Sequence, residues 1–480
     1  MNKLLFTITM VIILSGCRKE LSTPYLSPVA GNPANTGSSS PVAVFIDQSQ
    51  KGINIPSTFQ GFSYETGMLA ENPDFLNVNN KVLIQLIKNL GPGILRIGGD
   101  SSDETIWTGK ARTDKTTADS ITTTDIDHLA AFAHATGWHV LFGLNLGHYN
   151  PAKAANEARY VHNKLKGDLF AFQSGNEPNV FFRKLRPDSY HYPQYQKEWD
   201  TYLSTVRKAV PNAPFAGPDI TPFDPGWLKA FVKNERGSIK LLDAHFYVKG
   251  PASDPLITCD DILSPQNKLK DYLTAFSGIA SAHNLPFRIS ECNSIWGHGK
   301  PGVSDVFASS LWALDFMWTV AEYNGQGVNF HGGGSNFIYS PVAGENGVFT
   351  PKPEYYAMLA FKYAATNATI IPATFPVQPK ENCSVYACEN TGNTYSITLI
   401  NKEVNKDITF AIQLSKSATS VGVARLMAPS ITAKTGITFA GSAVDADGNF
   451  TAGEPEQYRV VKNTFTVKVP AGSAAVVTVK

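Results

Sequence analysis

Short apolar runs of strand length alternate with longer segments of helical period over residues 61–364. Each predicted strand is followed by a predicted helix, in which apolar residues recur every three or four positions. The predicted strands are residues 61–65, 94–99, 139–146, 169–175, 214–220, 240–248, 287–291 and 327–331. The predicted helices are residues 82–90, 125–136, 152–164, 192–210, 225–234, 265–282, 304–323 and 353–364. This rhythm predicts an α/β fold built from strand–helix units.

Eight such units in about 300 residues are typical of a closed parallel barrel. An open sheet that binds a dinucleotide carries a Gly-rich loop after its first strand, and none follows residue 65. We therefore predict a (β/α)8 TIM barrel over residues 42–368, with its active site at the carboxyl ends of the strands.

The helical period is lost after about residue 372. Residues 384–388, 395–401, 408–414, 421–427 and 465–469 read as short strands between turn residues. We predict a C-terminal β-sandwich over residues 369–480. Residues 43–47 have the same character and are a candidate N-terminal strand of that sandwich.

Residues 1–17 resemble a bacterial lipoprotein signal peptide. Lys3 is the positive start, residues 4–14 are apolar but too short to span a bilayer, and Leu14-Ser15-Gly16-Cys17 resembles a lipobox. The alternative is a plain secretory signal with an incidental cysteine. Residues 18–41 are rich in Ser, Pro, Gly, Asn and Thr, which predicts a flexible tether. We expect an exported cell-envelope lipoprotein, on the periplasmic face or the outer-membrane surface, that meets the membrane only through a lipid anchor.

The composition is that of an ordinary soluble enzyme. Of 480 residues 43% are hydrophobic and 17% charged, and the formal net charge is +1, so no charge bias favours nucleic acid or an anionic membrane. Aromatic residues, at 11%, are frequent enough to line a sugar cleft as well as a core. No Cys/His cluster has zinc spacing, and we predict neither a metal nor a cofactor.

The dispersed cysteines form no disulfide framework in a chain of this length. Export permits disulfides, and Cys383 with Cys388 are candidates to bridge neighbouring positions of a hairpin. Cys292 follows Glu291 directly, but strand alternation turns its side chain to the opposite face. We interpret Cys292 as a small buried residue and not as a nucleophile.

Two glutamates each end a predicted strand. Glu177 lies in Gly175-Asn176-Glu177-Pro178 after the fourth strand, and Glu291 closes the seventh. Two carboxyl groups at the same edge of a parallel barrel are what retaining glycoside hydrolysis requires, one as the acid and one as the nucleophile. The alternative is a pair of structural carboxylates held in ion pairs.

Several segments resemble glycoside hydrolase family 79, which contains microbial β-glucuronidases and heparanase. They are residues 95–99 (Leu-Arg-Ile-Gly-Gly), 175–179 (Gly-Asn-Glu-Pro-Asn), 243–247 (Asp-Ala-His-Phe-Tyr) and 300–305 (Lys-Pro-Gly-Val-Ser-Asp). The Asn-Glu-Pro motif is shared by a wider clan of barrel glycosidases, whereas residues 299–305 are the more family-specific signal. The resemblance runs from about Pro41 to the C-terminus.

The resemblance implies a role for each matched residue. Glu177 would be the acid/base and Glu291 the nucleophile. Asn176 would contact the sugar 2-hydroxyl, where hydrogen bonds tighten in the transition state. Tyr247 would donate a hydrogen bond to the Glu291 carboxylate and keep it ionised.

Residues at the ends of the first two strands would complete the sugar site. The resemblance implies that Glu65 and Asp103 bind ring hydroxyls. For Asp103, in Ser101-Ser102-Asp103-Glu104, a loop cap is the open alternative. The basic and aromatic segment 181–192 after the acid/base Glu is the candidate wall of the cleft.

The loop after Glu291 departs from the family. The family has Tyr five positions and Gly seven positions after the nucleophile, in a loop that holds the glucuronate carboxylate. This chain has Trp296 and His298 there, with Gly297 between them. The candidate carboxylate ligands are the Trp296 indole, the Gly297 and His298 amides, the His298 ring and Lys300.

Three functions remain open at this point. The first is an exo-acting retaining β-glucuronidase on oligo- or polysaccharides, and the second is the same machinery with another glycone or endo action. The third is a surface glycan-binding lipoprotein without catalysis, which the presence of Glu177, Glu291 and Tyr247 disfavours.

We predict that a lipid on Cys17 anchors the mature protein, because the lipobox-like motif and the tether occur together. Cys17→Ala should shift the protein from the membrane fraction to the soluble fraction, measured by fractionation and immunoblotting. Wild type and variant fractionating alike would contradict the anchor.

Overall fold

The computed structural model describes residues 40–480 apart from 334–335, 346–347 and 366. The predicted leader with Cys17, and all but the last two residues of the predicted tether, lie outside this range. Among the helices of the described part, none has both the length and the apolar character needed to cross a bilayer.

Parallel strands form an eight-stranded, nearly closed barrel, as predicted. Seven pairs of neighbouring strands are hydrogen-bonded along their length. One of the seven is the pair formed by the last strand and the first. Between the fourth and fifth strands the barrel closes through a bridge from Phe172 to Phe215. The strands are β1 Gly61–Glu65, β2 Ile94–Gly98, β3 His139–Leu144, β4 Leu169–Ser174, β5 Ala216–Ile220, β6 Leu241–Lys249, β7 Phe287–Ile295 and β8 Gly325–Gly332.

Helices surround the barrel and begin at residues that satisfy their first free amides. Asn80, Thr122, Asn150 and Asp224 each accept a hydrogen bond from the backbone one turn into the helix. The helices are α1 Lys81–Asn89, α2 Thr123–Thr136, α3 Pro151–Leu165, α4 Tyr192–Ala209, α5 Pro225–Glu235, α6 Asn267–Ala282, α7 Phe307–Glu322 and α8 Pro353–Ala364. The predicted elements are confirmed, with ends displaced by a few residues.

Strand β7 extends four residues beyond the predicted end at Glu291. The extension contains Asn293 and Ser294, which are fully buried although polar. Asn293 donates to backbone carbonyls of His331 and Tyr339, so the neighbouring chain satisfies it. The apolar pattern missed this part of the strand because its buried residues are polar and are satisfied by hydrogen bonds.

Arg288 fills the amino-terminal end of the barrel. Its side chain is buried and donates to the backbone carbonyls of residues 58–59, 326 and 328 and to Asn329 Oδ1. Burial lowers the pKa of Arg288 to about 9. Gly327 is required beside it, since a Cβ there would lie 2.1 Å from the guanidinium.

A C-terminal β-sandwich follows, as predicted. One sheet contains Cys383–Asn390, Thr394–Asn401, Ser473–Val479 and Val421–Met427, and the other contains Val42–Ile46, Ile408–Leu414 and Thr464–Val469. The N-terminal strand therefore joins the sandwich, in parallel register with Ile408–Leu414. Strand Ser473–Val479 was not predicted, because it is buried on both faces and its sequence does not alternate.

The suggested bridge between Cys383 and Cys388 is wrong. Both residues lie on the same strand, and both thiols are free. Five residues along a strand span about 16 Å, whereas a disulfide needs Cα atoms about 4.4–6.8 Å apart. Cys292 is fully buried and its thiol donates to the Asn329 carbonyl, which confirms it as a structural residue.

A buried ion pair joins the barrel to the sandwich. Lys402 Nζ lies 2.8 Å from Asp315 Oδ2 on α7, and both side chains are at most 5% exposed. Tyr386 donates to the same carboxylate over 2.7 Å. Although burial opposes ionisation, Lys402 and these hydrogen bonds hold the pKa of Asp315 below its usual value.

We predict that Lys402→Met lowers the free energy of unfolding by about 3–5 kcal/mol, because it leaves the buried Asp315 carboxylate without its cation. Urea unfolding monitored by circular dichroism measures the change. The matched control is Lys468→Met, which breaks the exposed pair with Asp407 and should cost at most about 1 kcal/mol. Equal losses in the two variants would contradict the role of the buried pair.

Candidate active site

The turn after β4 presents Glu177 to the carboxyl end of the barrel. Gly175 and Glu177 both have positive φ, 79° and 53°. A Cβ at Gly175 would lie 3.0 Å from Leu146, so this position requires glycine. The strained conformation of Glu177 is held by its own amide, which donates to the Asp219 carbonyl over 2.8 Å.

Glu291 points into the barrel from β7 and is held as an anion. Arg96 Nη1 lies 2.6 Å from its Oε2, and the Tyr247 hydroxyl donates to its Oε1 over 2.7 Å. His331 Nδ1 lies 3.6 Å from Oε2. Burial opposes ionisation, but the charges of His331, His245 and Arg96 and the Tyr247 hydrogen bond lower the pKa of Glu291 to about 2.

Glu177 is held in the opposite state. Burial raises the pKa of its carboxyl to about 7, and the negative charge of Glu291 acts in the same direction. The hydrogen bond and charge of His245, whose Nδ1 lies 2.8 Å from Glu177 Oε1, oppose this rise only in part. One carboxyl is therefore available as an acid near neutral pH while the other is a carboxylate.

His245 connects Glu177 to a buried anion beneath it. Its Nε2 lies 2.9 Å from Asp219 Oδ1, and Asp219 also forms an ion pair with Arg96 over 2.6 Å. Although burial opposes protonation, the charges of Asp219 and Glu291 raise the pKa of His245 well above its usual value. The protonated ring thus donates one N–H to Glu177 and the other to Asp219.

The two carboxyl groups lie close together. One oxygen of Glu177, one of Glu291 and a ring nitrogen of His245 all lie within 4.8 Å of one another. This spacing would also suit a metal ion, but Arg96 already places a cation 2.6 Å from Glu291 and the raised pKa of His245 favours a second. The protein itself supplies the positive charge of the cluster, and we assign no metal to it.

Asn176 and Glu65 lie around the two catalytic candidates. Asn176 accepts from Arg96 Nη2 over 2.7 Å and donates to Asp100, and is 5% exposed. Glu65 accepts from the Ser101 amide over 2.9 Å, and its Oε1 lies 3.4 Å from His331 Nε2. In spite of burial, the hydrogen bond and charge of His331 lower the pKa of Glu65. Their contact with a sugar stays a prediction.

Asp103 has the contacts of a loop cap. Its Oδ1 accepts from the amides of Leu146 and Gly147 and its Oδ2 accepts from the amide of Asn176, over 2.7–2.8 Å. The side chain is buried, so these three donors use the carboxylate that a sugar hydroxyl would need. Of the two roles left open by the sequence, the geometry favours the cap.

The predicted carboxylate ligands on the loop after β7 differ in whether the protein itself already binds them. Lys300 Nζ donates to the carbonyls of Ala252 and Asp254, so its ammonium group stabilises a neighbouring loop. Trp296 is 48% exposed and the amides of Gly297 and His298 have no acceptor among the described residues. His298 has φ 70°, a left-handed conformation that a non-glycine residue tolerates here.

The same loop reaches the rim of the site through ring contacts. The His298 ring lies 4.6 Å from the Phe337 ring, measured between centroids, and Phe337 lies 5.3 Å from His331. His331 in turn contacts Glu291. The His298 ring is therefore linked to Glu291 through the rings of Phe337 and His331.

The segment after Glu177 forms one wall of a cavity, as predicted. The cavity has a volume of about 210 Å³ and is lined by Asp100, Asp103, Glu104, Asn176, Glu177, Val180, Phe181, Arg183, Lys184 and Leu185. Arg186 donates to the carbonyls of Leu146 and Gly147, which fixes the wall to the loop after β3.

Four further charged side chains of the site were not predicted from the sequence. Arg96 and His245 occur there only within motifs, and Asp219 and His331 were given no role. All four are buried and point into the barrel from β2, β6, β5 and β8. The available signal was an ionisable residue at an inward position of a buried strand, as in Leu95-Arg96-Ile97.

Comparison with known families identifies both parts of the chain. Residues 72–317 match the N-terminal domain of glycosyl hydrolase family 79, and residues 385–476 match the family 79 C-terminal beta domain. The β-glucuronidase of Aspergillus niger is 25% identical over 90% of this chain and 91% of its own length. The heparanase of Bos taurus is 25% identical over 58% of this chain and 52% of its own length.

Solved structures share the fold. A 4-O-α-L-rhamnosyl-β-D-glucuronidase from Fusarium oxysporum superposes with a TM-score of 0.74 at 19% identity, covering 90% of this chain and all of its own. A family 51 arabinofuranosidase from Xanthomonas axonopodis has a TM-score of 0.68 at 16% identity, covering 91% of this chain and 99% of its own.

We predict that His245→Gln raises the pKa of Glu177 above about 7, because the charge and the hydrogen bond of His245 both lower it. The carboxyl ¹³C shift of labelled glutamate, assigned with Glu177→Gln, measures the titration. His134→Gln, at a side chain 89% exposed on α2, is the control and should leave the titration unchanged. An unchanged or lower pKa in His245→Gln would exclude this coupling.

Proposed function

Because the chain belongs to glycoside hydrolase family 79, we propose that it is an exo-acting, retaining β-glucuronidase that removes terminal uronic acid from oligo- or polysaccharides. The observation that carries the proposal is the opposite ionisation of two adjacent carboxyl groups, with pKa values of about 7 for Glu177 and about 2 for Glu291. That division supplies an acid and a nucleophile at the same pH.

The separation of the two groups supports retention of configuration. Retaining glycosidases have their carboxyl groups about 5–5.5 Å apart, and inverting enzymes need about 6.5–9.5 Å to admit a water molecule. Here one oxygen of each group lies within 4.8 Å of the other. This proximity favours direct attack of Glu291 on the anomeric carbon over attack by an intervening water.

The charges favour each step of a double displacement. In the first step Glu291 forms a bond to the anomeric carbon while Glu177 gives its proton to the leaving oxygen. The ester that results has no negative charge, so the contribution of Glu291 that raises the pKa of Glu177 disappears. Glu177, now ionised, takes a proton from the water that cleaves the ester and returns to its first state.

Groups on the loop after β7 support a uronate as the sugar. The amides of Gly297 and His298, unused within the described chain, and the Trp296 indole are hydrogen-bond donors on the loop that directly follows the strand of Glu291. A carboxylate buried there without donors would cost several kcal/mol. The names of the relatives, a β-glucuronidase among them, point to the same sugar.

The dimensions of the cavity support exo action. The cavity beside Glu177, about 210 Å³ in volume and bounded on one side by residues 180, 181 and 183–185, matches the size of one sugar ring. The different protonation states of Glu177 and Glu291 also weigh against a protein that only binds glycans, since a binding site has no need of an acid with a raised pKa.

A panel of 4-nitrophenyl glycosides tests the sugar. We expect the β-glucuronide to exceed the β-glucoside, β-galactoside and α-arabinofuranoside in kcat/KM by at least about tenfold, which corresponds to 1.4 kcal/mol of differential transition-state binding. A neutral glycoside that exceeds the glucuronide by tenfold would overturn the acid-sugar assignment and leave the two-carboxylate mechanism standing.

We predict different losses for the two carboxyl groups. Glu291→Gln should abolish turnover of every substrate, since no other group can form the ester. Glu177→Ala should lower kcat/KM by about 10²–10⁴ for alkyl glycosides, but by less than tenfold for 4-nitrophenyl leaving groups, which need little protonation. Rates with matched aryl and alkyl glycosides measure the difference.

Asp271→Ala, on the exposed face of α6, is the control for these rates and should be neutral. Proton NMR of the first-formed product gives the stereochemistry. The β-anomer is expected, and the α-anomer as first product would reverse the assignment of Glu291 as nucleophile.

A further inference from the structure

A second cavity lies beside the catalytic one. It has a volume of about 230 Å³ and is lined by residues 105–107, by Asn145 and His148 after β3, and by Asn150, Lys153, Ala154 and Glu157 at the start of α3. Residues 103 and 104 line the catalytic cavity, so consecutive residues border the two spaces. The hydrogen bonds of Asp103 to the amides of Leu146 and Gly147 hold the wall between them.

A carboxyl group without a hydrogen bond lies at the inner end of this cavity. Glu157 is 5% exposed, lines the cavity, and has no hydrogen-bond partner among the described residues. Burial raises its pKa to about 8, and only the charge of Lys153, one helical turn earlier, opposes the rise. At neutral pH the group is mainly protonated, with one O–H donor and one carbonyl acceptor.

Glu157 lowers the stability of the fold. An unfolded glutamate ionises near pH 4.3, so the native state holds a proton that the unfolded chain releases. The free energy of unfolding therefore falls as pH rises from about 4.3 to about 8 and stays low above that range. A costly buried carboxyl that makes no hydrogen bond within the described chain is typical of a binding site.

We propose that the second cavity binds one uncharged sugar ring, a further unit of the glycan whose terminal residue occupies the catalytic cavity, through hydrogen bonds between its hydroxyls and the Glu157 carboxyl. The inference rests on membership of a glycan-cleaving family and not on the identity of the sugar that is released.

The lining fits such a ring. Ile106, Trp107 and Ala154 offer apolar surface to the C–H face of a pyranose, while His148 and Lys153 give the mouth polar groups. Trp107 is fixed in place because its indole donates to Asn156 over 2.8 Å. A neutral acid favours a neutral partner, since an anionic sugar would meet a carboxyl that repels it once ionised.

Saturation-transfer NMR with the methyl β-D-glycosides of glucose, galactose and xylose tests the site. We expect at least one of them to give a signal with wild type, to keep it with Glu157→Gln, and to lose at least fivefold with Glu157→Leu. Both variants should hydrolyse 4-nitrophenyl glycosides at the wild-type rate, and the bound methyl glycoside should not inhibit that reaction competitively.

Thermal unfolding shows that the variants fold. Both should have a higher midpoint than wild type, with a larger gain at pH 8 than at pH 5, because the penalty of the buried acid is then removed. Equal signals in wild type and Glu157→Leu, no signal from any of the three glycosides, or competitive inhibition would overturn the proposal. If no aryl glycoside is cleaved, the proposed enzyme function fails, and the signals from the Glu157 variants still decide the second cavity.

Discussion

The guanidinium of Arg96, fully buried at the centre of the barrel, is the group on which the site depends. It donates at 2.6–3.1 Å to acceptors carried by β1, β4, β5 and β7 and by the turn after β4: Ser63, Gln173, Asn176, Asp219 and Glu291. A planar fork with fixed donors can serve these acceptors together, whereas an ammonium group cannot. The same contacts fill the barrel interior and orient Glu291, the proposed nucleophile, so the fold and the proposed chemistry share one interaction.

Charge balance around Arg96 explains why one glutamate is protonated. Three groups with raised pKa values, Arg96, His245 and His331, face three carboxylates with lowered pKa values, Glu65, Asp219 and Glu291. The charges of these six groups balance, so a further anion beside them would be buried without a cation to pair with. Glu177 and Asp243 accordingly keep their protons to pKa values of about 7 and 8. Burial raises the pKa of Glu177 first, and the negative charges of Glu291 and Asp100 add to that rise.

Local sequence was sufficient for the barrel, the sandwich and the two glutamates, since each depends on periodicity or on a short motif. It was insufficient where distant segments meet. Arg96 and Asp219 contact each other across 123 positions, and strand alternation shows only that each points inward. Lys300 was a candidate ligand by its place in the loop, but its ammonium is bound by carbonyls of residues 252 and 254, which no local pattern shows. The end of β7 was missed for a related reason, since Asn293 is satisfied by chain nearly 40 residues away.

The strand Val42–Ile46 has its parallel partner at Ile408–Leu414, with the whole barrel between them in the chain. At synthesis rates of about 5–20 residues per second, this apolar strand waits roughly 20–70 seconds before residue 414 exists. Its other neighbour, Ala373–Thr374, is synthesised only about 40 residues earlier and pairs with just two of its residues. The sandwich is therefore the last part of the protein to assemble. Until then an unpaired strand must be kept from other chains, and premature termination between the barrel and Ile408 leaves that strand without its parallel partner and exposed to aggregation.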